Sequence, residues 1–141
     1  MSLDRIVAAF GLGLAAALSA AVVAGAMDRD PEPLVVPIEI RYSHFEPAAI
    51  RVPAGRPVTF VITNGDPIDH EWIVGDAAVH LRHRTGSEPV HAARPTEVSI
   101  DASREVRTTV TFTAPGSLTF VCHLPGHEAY GMTGTLEVTG G

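Results

Sequence analysis

Eleven consecutive positions concentrate the chemistry of this chain. Cys122, His127 and Met132 stand in a Cys-x4-His-x4-Met spacing within Phe120-Val121-Cys122-His123-Leu124-Pro125-Gly126-His127-Glu128-Ala129-Tyr130-Gly131-Met132. A soft thiolate, a borderline imidazole and a weak thioether form the ligand set that suits copper cycling between its two oxidation states. Cys122 is the single cysteine of 141 residues, so neither an internal disulfide nor a four-cysteine zinc or iron–sulfur site can be built from the chain. What remains for it is a buried thiol, a nucleophile or one ligand of a mixed metal site. A Cys-His nucleophilic pair leaves Met132 without a role. Gly131 before that methionine and Thr133-Gly134 after it mark a tight passage rather than a strand with a core methionine. A trigonal site needs a further imidazole, and His70 is the best candidate. It follows the turn Asn64-Gly65-Asp66-Pro67 and opens a strand whose inward face continues with Trp72 and Val74.

These donors meet only if separate elements carry them to one end of a fold. Apolar residues alternate with a period of two in segment after segment: Ile38, Ile40 and Tyr42; Val58, Phe60 and Ile62; His70, Trp72 and Val74; Val98 and Ile100; Val106, Val110 and Phe112; Leu118, Phe120 and Cys122; Leu136 and Val138. Each set reads as the inward face of a half-buried strand. Chain reversals are supplied by Pro53-Ala54-Gly55, Asn64-Gly65-Asp66-Pro67, Ala114-Pro115-Gly116 and Pro125-Gly126. Seven or eight such strands predict an all-β, antiparallel β-sandwich of Greek-key type. Cys122 ends its strand facing inward, and the loop turned by Pro125-Gly126 folds His127 and Met132 over the same end.

The stretch Asp76 to Pro95 breaks the rhythm and reads as an insertion, with a short helix around Ala77 to His83 and then a Thr85-Gly86-Ser87 loop. His80 and His83 have the helical spacing of two ligands on one face. With His91, and among Arg82, Arg84 and Arg94, they read instead as a solvated surface. His123 alternates away from Cys122 and reads as surface- or partner-facing; His44, at a strand boundary beside Phe45, reads as a surface residue.

Phe45-x-Pro47, Ile50-x-Val52-x-Ala54-Gly55, the run Val58 to Asn64, His70, Gly116 and the loop from Cys122 to Met132 together resemble the cupredoxins, the plastocyanin- and azurin-type blue copper proteins, over residues 34–139. The resemblance implies one type 1 copper per chain, with His70, Cys122 and His127 as equatorial ligands and Met132 as the long axial ligand. It implies a one-electron carrier between redox partners and not an enzyme, since protein side chains fill every coordination position. The Cys-His-x3-His-x4-Met loop is also similar to that of multicopper oxidases, whose trinuclear cluster uses histidines on both sides of the cysteine. Here Val121 precedes Cys122 and no His-x-His pair occurs. Glu71 stands where many cupredoxins place a small polar residue that hydrogen-bonds near the thiolate. Two other functions fit the same residues: a copper storage, delivery or resistance protein, and a copper-binding subunit of an oligomeric copper enzyme.

Charge and the N-terminus narrow the setting. The formal charge is −6, every basic residue is arginine, and no basic stripe exists to grip a phosphate backbone, which excludes nucleic acid. Ile6 to Ala26 carries no charge, follows Arg5 and ends in Ala24-Gly25-Ala26, the small-x-small form of a signal-peptidase site. The run is also long enough to span a bilayer. Residues 1–26 therefore read as a signal peptide or N-terminal membrane anchor, a hydrophobic helix ahead of a linker at 27–33 and a copper-binding domain at 34–141. The domain is expected outside the cytoplasm, whether periplasmic, secreted or anchored to the outer face of the cytoplasmic membrane. Its expected partners are redox proteins docking on a small apolar patch of Leu124, Pro125, Ala129 and Tyr130 around the edge of His127.

Overall fold

The alternating segments become strands in the computed structural model, which describes residues 32–86 and 94–140. The leader 1–26, the linker up to residue 31 and His91 lie outside the described residues. Among the described residues no helix is long and apolar enough to cross a membrane.

β1 (Leu34–Arg41) buries Ile38 and Ile40, and β4 (Pro57–Asn64) buries Val58, Phe60 and Ile62 while Thr59 and Thr63 look outward. β1 reverses into β2 (His44–Glu46) through Tyr42-Ser43, both at positive φ, 54° and 55°. Two left-handed residues make the primed turn whose twist matches that of the flanking strands, at a steric cost for side chains other than glycine. Asp66 offsets that cost, its Oδ1 accepting from the Tyr42 N–H at 2.7 Å and its Oδ2 from the Ser43 N–H at 2.8 Å.

The remaining strands are β3 (Ala49–Pro53), β5 (His70–Gly75), β6 (Glu97–Ile100), β7 (Glu105–Thr111), β8 (Gly116–Val121) and β9 (Thr133–Thr139). One sheet has the order β2-β1-β4-β7 and the other β3-β9-β8-β5-β6. Their inner faces meet on Trp72, Phe60, Phe120 and Leu136, with the Phe60 and Trp72 rings 4.7 Å apart. The expected sandwich is thus present, with three differences. The described residues form nine strands rather than seven or eight, because the short pieces β2 and β3 also pair. The sheets are mixed rather than antiparallel throughout, since β1 runs parallel to β4 and β3 parallel to β9. Alternation names the face of a strand, not its neighbour, so it carries no trace of these crossovers. Finally, β5 is buried on both faces, not one, because a helix packs against it.

That helix, α1 (Ala77–Thr85), is the insertion. Asp76 caps it, its Oδ1 accepting from the Ala78 and Val79 N–H groups at 3.0 Å each, and Arg82, His83 and Arg84 occupy the last turn, where cations complement the helix dipole. Glu97, 4% exposed, ties α1 to β6: it pairs with Arg82, with Arg94 Nη1 at 2.9 Å and with His83 Nε2 at 3.5 Å. Burial raises the Glu97 carboxyl, but these cations outweigh it and hold the group below its ordinary value. A depressed carboxyl contributes stability above its unfolded pKa, and the contribution is lost as pH falls through the lower folded value. Glu97→Gln is therefore expected to cost about 1 kcal/mol at neutral pH, both arginines being half-exposed, and to flatten the acid limb of the stability curve. Urea melts between neutral and acidic pH check this; equal slopes for both proteins would show that the clamp contributes nothing.

Candidate metal centre

Three loops at one end of the sandwich build the site. The first, Asn64 to Asp69, is held from within. Asn64 Nδ2 donates to the carbonyls of Ile68 at 2.8 Å and Asp101 at 3.0 Å, and Asn64 Oδ1 accepts the Asp66 N–H at 2.9 Å. This delivers His70, 1% exposed, as the first residue of β5. The second loop leaves β8 at Cys122, fully buried. It turns through Gly126 into the single helical turn α2 (His127–Tyr130) and leaves through Gly131, both glycines lying in the left-handed region at φ 86° and 104°. The strand end and the loop are tied together: the Cys122 N–H donates to the Met132 carbonyl at 3.1 Å and the Met132 N–H to the His127 carbonyl at 3.0 Å. Met132 is fully buried. The third loop, Tyr42-Ser43, backs the site through Asp66.

The donor atoms of His70, Cys122 and His127 lie within 4.8 Å of one another. His70 Nδ1 is 3.2 Å from His127 Nδ1, and Cys122 Sγ is 3.3 Å from the same His127 nitrogen. Such spacings suit side chains sharing one ion at bond lengths of about 2.0–2.3 Å. The protonation pattern agrees. His70 Nε2 donates to Asp66 Oδ2 at 3.0 Å, which fixes the tautomer and turns the Nδ1 lone pair toward Cys122 and His127. Burial holds the His70 imidazole below its ordinary value, against the opposite pull of Asp66. Burial would raise Asp66, yet the Ser43 and Tyr42 N–H groups and His70 bring it below the usual carboxylate range. Burial pushes the Cys122 thiol up to about 11 although the Glu71 N–H donates to its sulfur at 3.3 Å, so the metal-free protein carries the thiol and metal uptake releases its proton. A buried thiol, two imidazoles and a buried thioether form a donor set that fits copper.

All four residues expected from the sequence stand at this end of the sandwich. The contact that Glu71 had put in question is made by its backbone, so the identity of that side chain matters little. Asp66 is the functional residue that sequence reasoning missed. The sequence shows it as part of the Asn64-Gly65-Asp66-Pro67 turn, and its position four residues before His70 is the available signal. Of the patch around His127, Pro125, Ala129 and Tyr130 are exposed and Leu124 is partly buried against the core. His44 is exposed, as expected. His80, His83 and His123 are not surface residues: His80 is 3% exposed, and the side chains of His83 and His123 are 4% exposed. The docked helix α1 covers them.

Residues 35–139 match the family described as copper binding proteins, plastocyanin/azurin family. Two curated relatives bear the name copper-resistant cuproprotein CopI. That of Rubrivivax gelatinosus is 35% identical over 97 residues, 67% of this chain and 59% of the relative. That of Pseudomonas aeruginosa is 30% identical over 127 residues, 67% of this chain and 70% of the relative. This chain thus spans less than two thirds of the Rubrivivax protein. Among solved structures, auracyanin B superimposes with a TM-score of 0.63 at 23% identity, covering 75% of this chain and 88% of that one. Auracyanin A, a "blue" copper protein of Chloroflexus aurantiacus, gives 0.62 at 24%, covering 77% and 100%. At such identities the structural likeness speaks for the fold, which is the cupredoxin sandwich.

Proposed function

Because the chain belongs to the plastocyanin/azurin family of copper-binding proteins, we propose that it holds copper outside the cytoplasm as part of copper resistance, with His70, Cys122 and His127 as the close ligands and Met132 as the weak axial one. The observation that carries this reading is the convergence of three donors within 4.8 Å, two of them buried, with the outer hydrogen bonds of His70 to Asp66 and of Cys122 to the Glu71 N–H already made. Asp66 orients His70, the Glu71 N–H faces the sulfur, and Gly126 and Gly131 hold the loop that returns His127 and Met132 to the strand end. Bound copper supplies one-electron chemistry between Cu(I) and Cu(II). With side chains of the chain in every ligand role, the site is suited to holding and passing on rather than to turnover of a small molecule.

The electron-carrier function expected from the family resemblance becomes the second reading. The names of both CopI relatives support resistance instead, and location outside the cytoplasm rests on the apolar segment Ile6 to Ala26 behind Arg5. The exposed patch of Pro125, Ala129 and Tyr130 favours a protein partner under either reading and serves as the face where copper or an electron would leave. Growth separates the two. Cells whose gene copy encodes Cys122→Ser are expected to lose tolerance to added copper while their electron-transport rates stay unchanged. Normal tolerance combined with impaired electron flow would establish the carrier and reject the resistance role.

A further inference from the structure

On the far side of Cys122 from the ligands just described, α1 closes over a second group of imidazoles. His80 Nδ1 lies 2.9 Å from His123 Nε2. The outer nitrogen of each ring faces an acceptor: His80 Nε2 the Thr119 carbonyl at 3.3 Å, and His123 Nδ1 the Glu128 Oε2 at 3.4 Å. Glu128 is held in turn by Arg84, whose Nε donates to its two oxygens at 3.1 and 2.9 Å. His83 stacks on His123, ring centroids 5.4 Å apart and planes at 16°, and is fixed by the Val79 carbonyl at 2.9 Å from its Nδ1. We propose that His80 and His123 form a second metal site, selective for a borderline divalent ion and for Cu(II) above the others, one residue along the chain from the thiolate ligand of the first.

The chemistry that orients His70 in the first centre applies to this pair as well. When the outer nitrogen of a neutral imidazole donates, the inner one presents a lone pair. Applied to His80 and His123, this aims two lone pairs at each other across 2.9 Å, an arrangement that a shared cation would satisfy. Two nitrogens at that separation, each about 2.0–2.1 Å from a shared ion, subtend roughly 90°, the angle of neighbouring ligands in a tetragonal site. Tetragonal nitrogen and oxygen coordination is the preference of Cu(II) and Ni(II), and Cu(II) is bound most tightly in the divalent series. Glu128 behind His123 supplies the carboxylate that raises the basicity of a metal-bound histidine. A cleft of about 340 Å³ lined by Gly75, Asp76, His80, Arg84 and Thr119 reaches the His80 side of the pair. The competing occupant is one proton. If Thr119 Oγ1, 2.8 Å from His80 Nε2, donates to that nitrogen, His80 Nδ1–H can donate to His123 and the pair is an ordinary hydrogen bond.

The site extends the copper-resistance reading but is tested apart from it, because its copper can be counted where the first site has lost its thiolate. Full-length wild-type protein titrated with Cu(II) is expected to take up two ions. One would give the intense visible band. The other would give only a weak band and a wide hyperfine splitting in electron paramagnetic resonance, having no sulfur ligand. Cys122→Ser should keep the second signal, whereas His80→Gln and His123→Gln should keep the visible band, which also reports that they fold, and bind the second ion at least tenfold more weakly. An arm without variants uses wild-type protein carrying one equivalent of reduced copper. Added Zn(II) should shift the ring resonances of His80 and His123 but leave those of exposed His44 in place. Saturation at one copper with no such shift would show that a proton holds the pair. A second ion bound equally well by His80→Gln would place it elsewhere on the chain. Either result overturns the proposal, and neither touches the assignment of the first centre.

Discussion

Cys122→Ser is expected to remove the intense visible absorption and the narrow copper hyperfine splitting together, leaving a pale protein of the same fold. Both signals arise from covalency between copper and a thiolate sulfur, which draws unpaired spin off the metal. No other residue can supply that sulfur in charged form, because the chain has no second cysteine. The substitution also removes the acceptor of the Glu71 N–H, although serine oxygen can take over part of that role. Affinity should fall by more than the roughly 10–100-fold typical of changes to groups behind the ligands, since here a ligand itself is altered. Absorption and paramagnetic resonance spectra of the copper-loaded proteins, with thermal melts of the metal-free forms, make the comparison. A wild-type protein that binds Cu(II) and stays colourless, or a serine variant that keeps the band, would reject the type 1 assignment.

What the sequence made legible was whatever depends on local order. Val58, Phe60 and Ile62 announce the inward face of a strand because side chains alternate whatever the strand's neighbours are. The Cys122, His127 and Met132 spacing survives into the structure because one short loop, closed by the hydrogen bonds between Cys122, His127 and Met132, contains all three. His70 was reachable because a turn and an apolar face flank it. What depends on docking was not legible. α1 is polar in composition, and Arg82, Arg84 and His83 read as solvated until Glu97 on β6 is seen to neutralise one side of the helix. Burial of His80 and His123 follows from that docking, and no period in the sequence encodes it. The parallel pairing of β1 with β4 and of β3 with β9 is equally silent, since either neighbour would leave the same alternation. Asp66 lay between these cases: four residues from His70, but looking like one more turn residue.

Asp66→Ala is expected to weaken copper binding by about 10–100-fold without touching a ligand, the usual cost of losing the group behind a metal-bound histidine. One carboxylate carries three contacts here. Oδ2 accepts from His70 Nε2 at 3.0 Å and from the Ser43 N–H at 2.8 Å, and Oδ1 accepts from the Tyr42 N–H at 2.7 Å. Alanine leaves His70, 1% exposed, with a buried donor and no acceptor, so the ring has no reason to keep Nδ1 turned toward Cys122. It also unties the two left-handed residues of the β1–β2 turn, so the metal-free protein should lose about 1–3 kcal/mol of stability as well. Asp66→Asn separates the two effects. With its carbonyl in the Oδ2 position it can still accept from His70 and Ser43, but its amide then faces the Tyr42 N–H donor to donor. It should therefore lose turn stability while keeping copper affinity within about tenfold of wild type. Competition against a chelator measures the first quantity and thermal melts of the metal-free proteins the second. If Asp66→Ala loses stability but binds copper with unchanged affinity and spectrum, packing alone holds the His70 ring and the carboxylate serves only the turn.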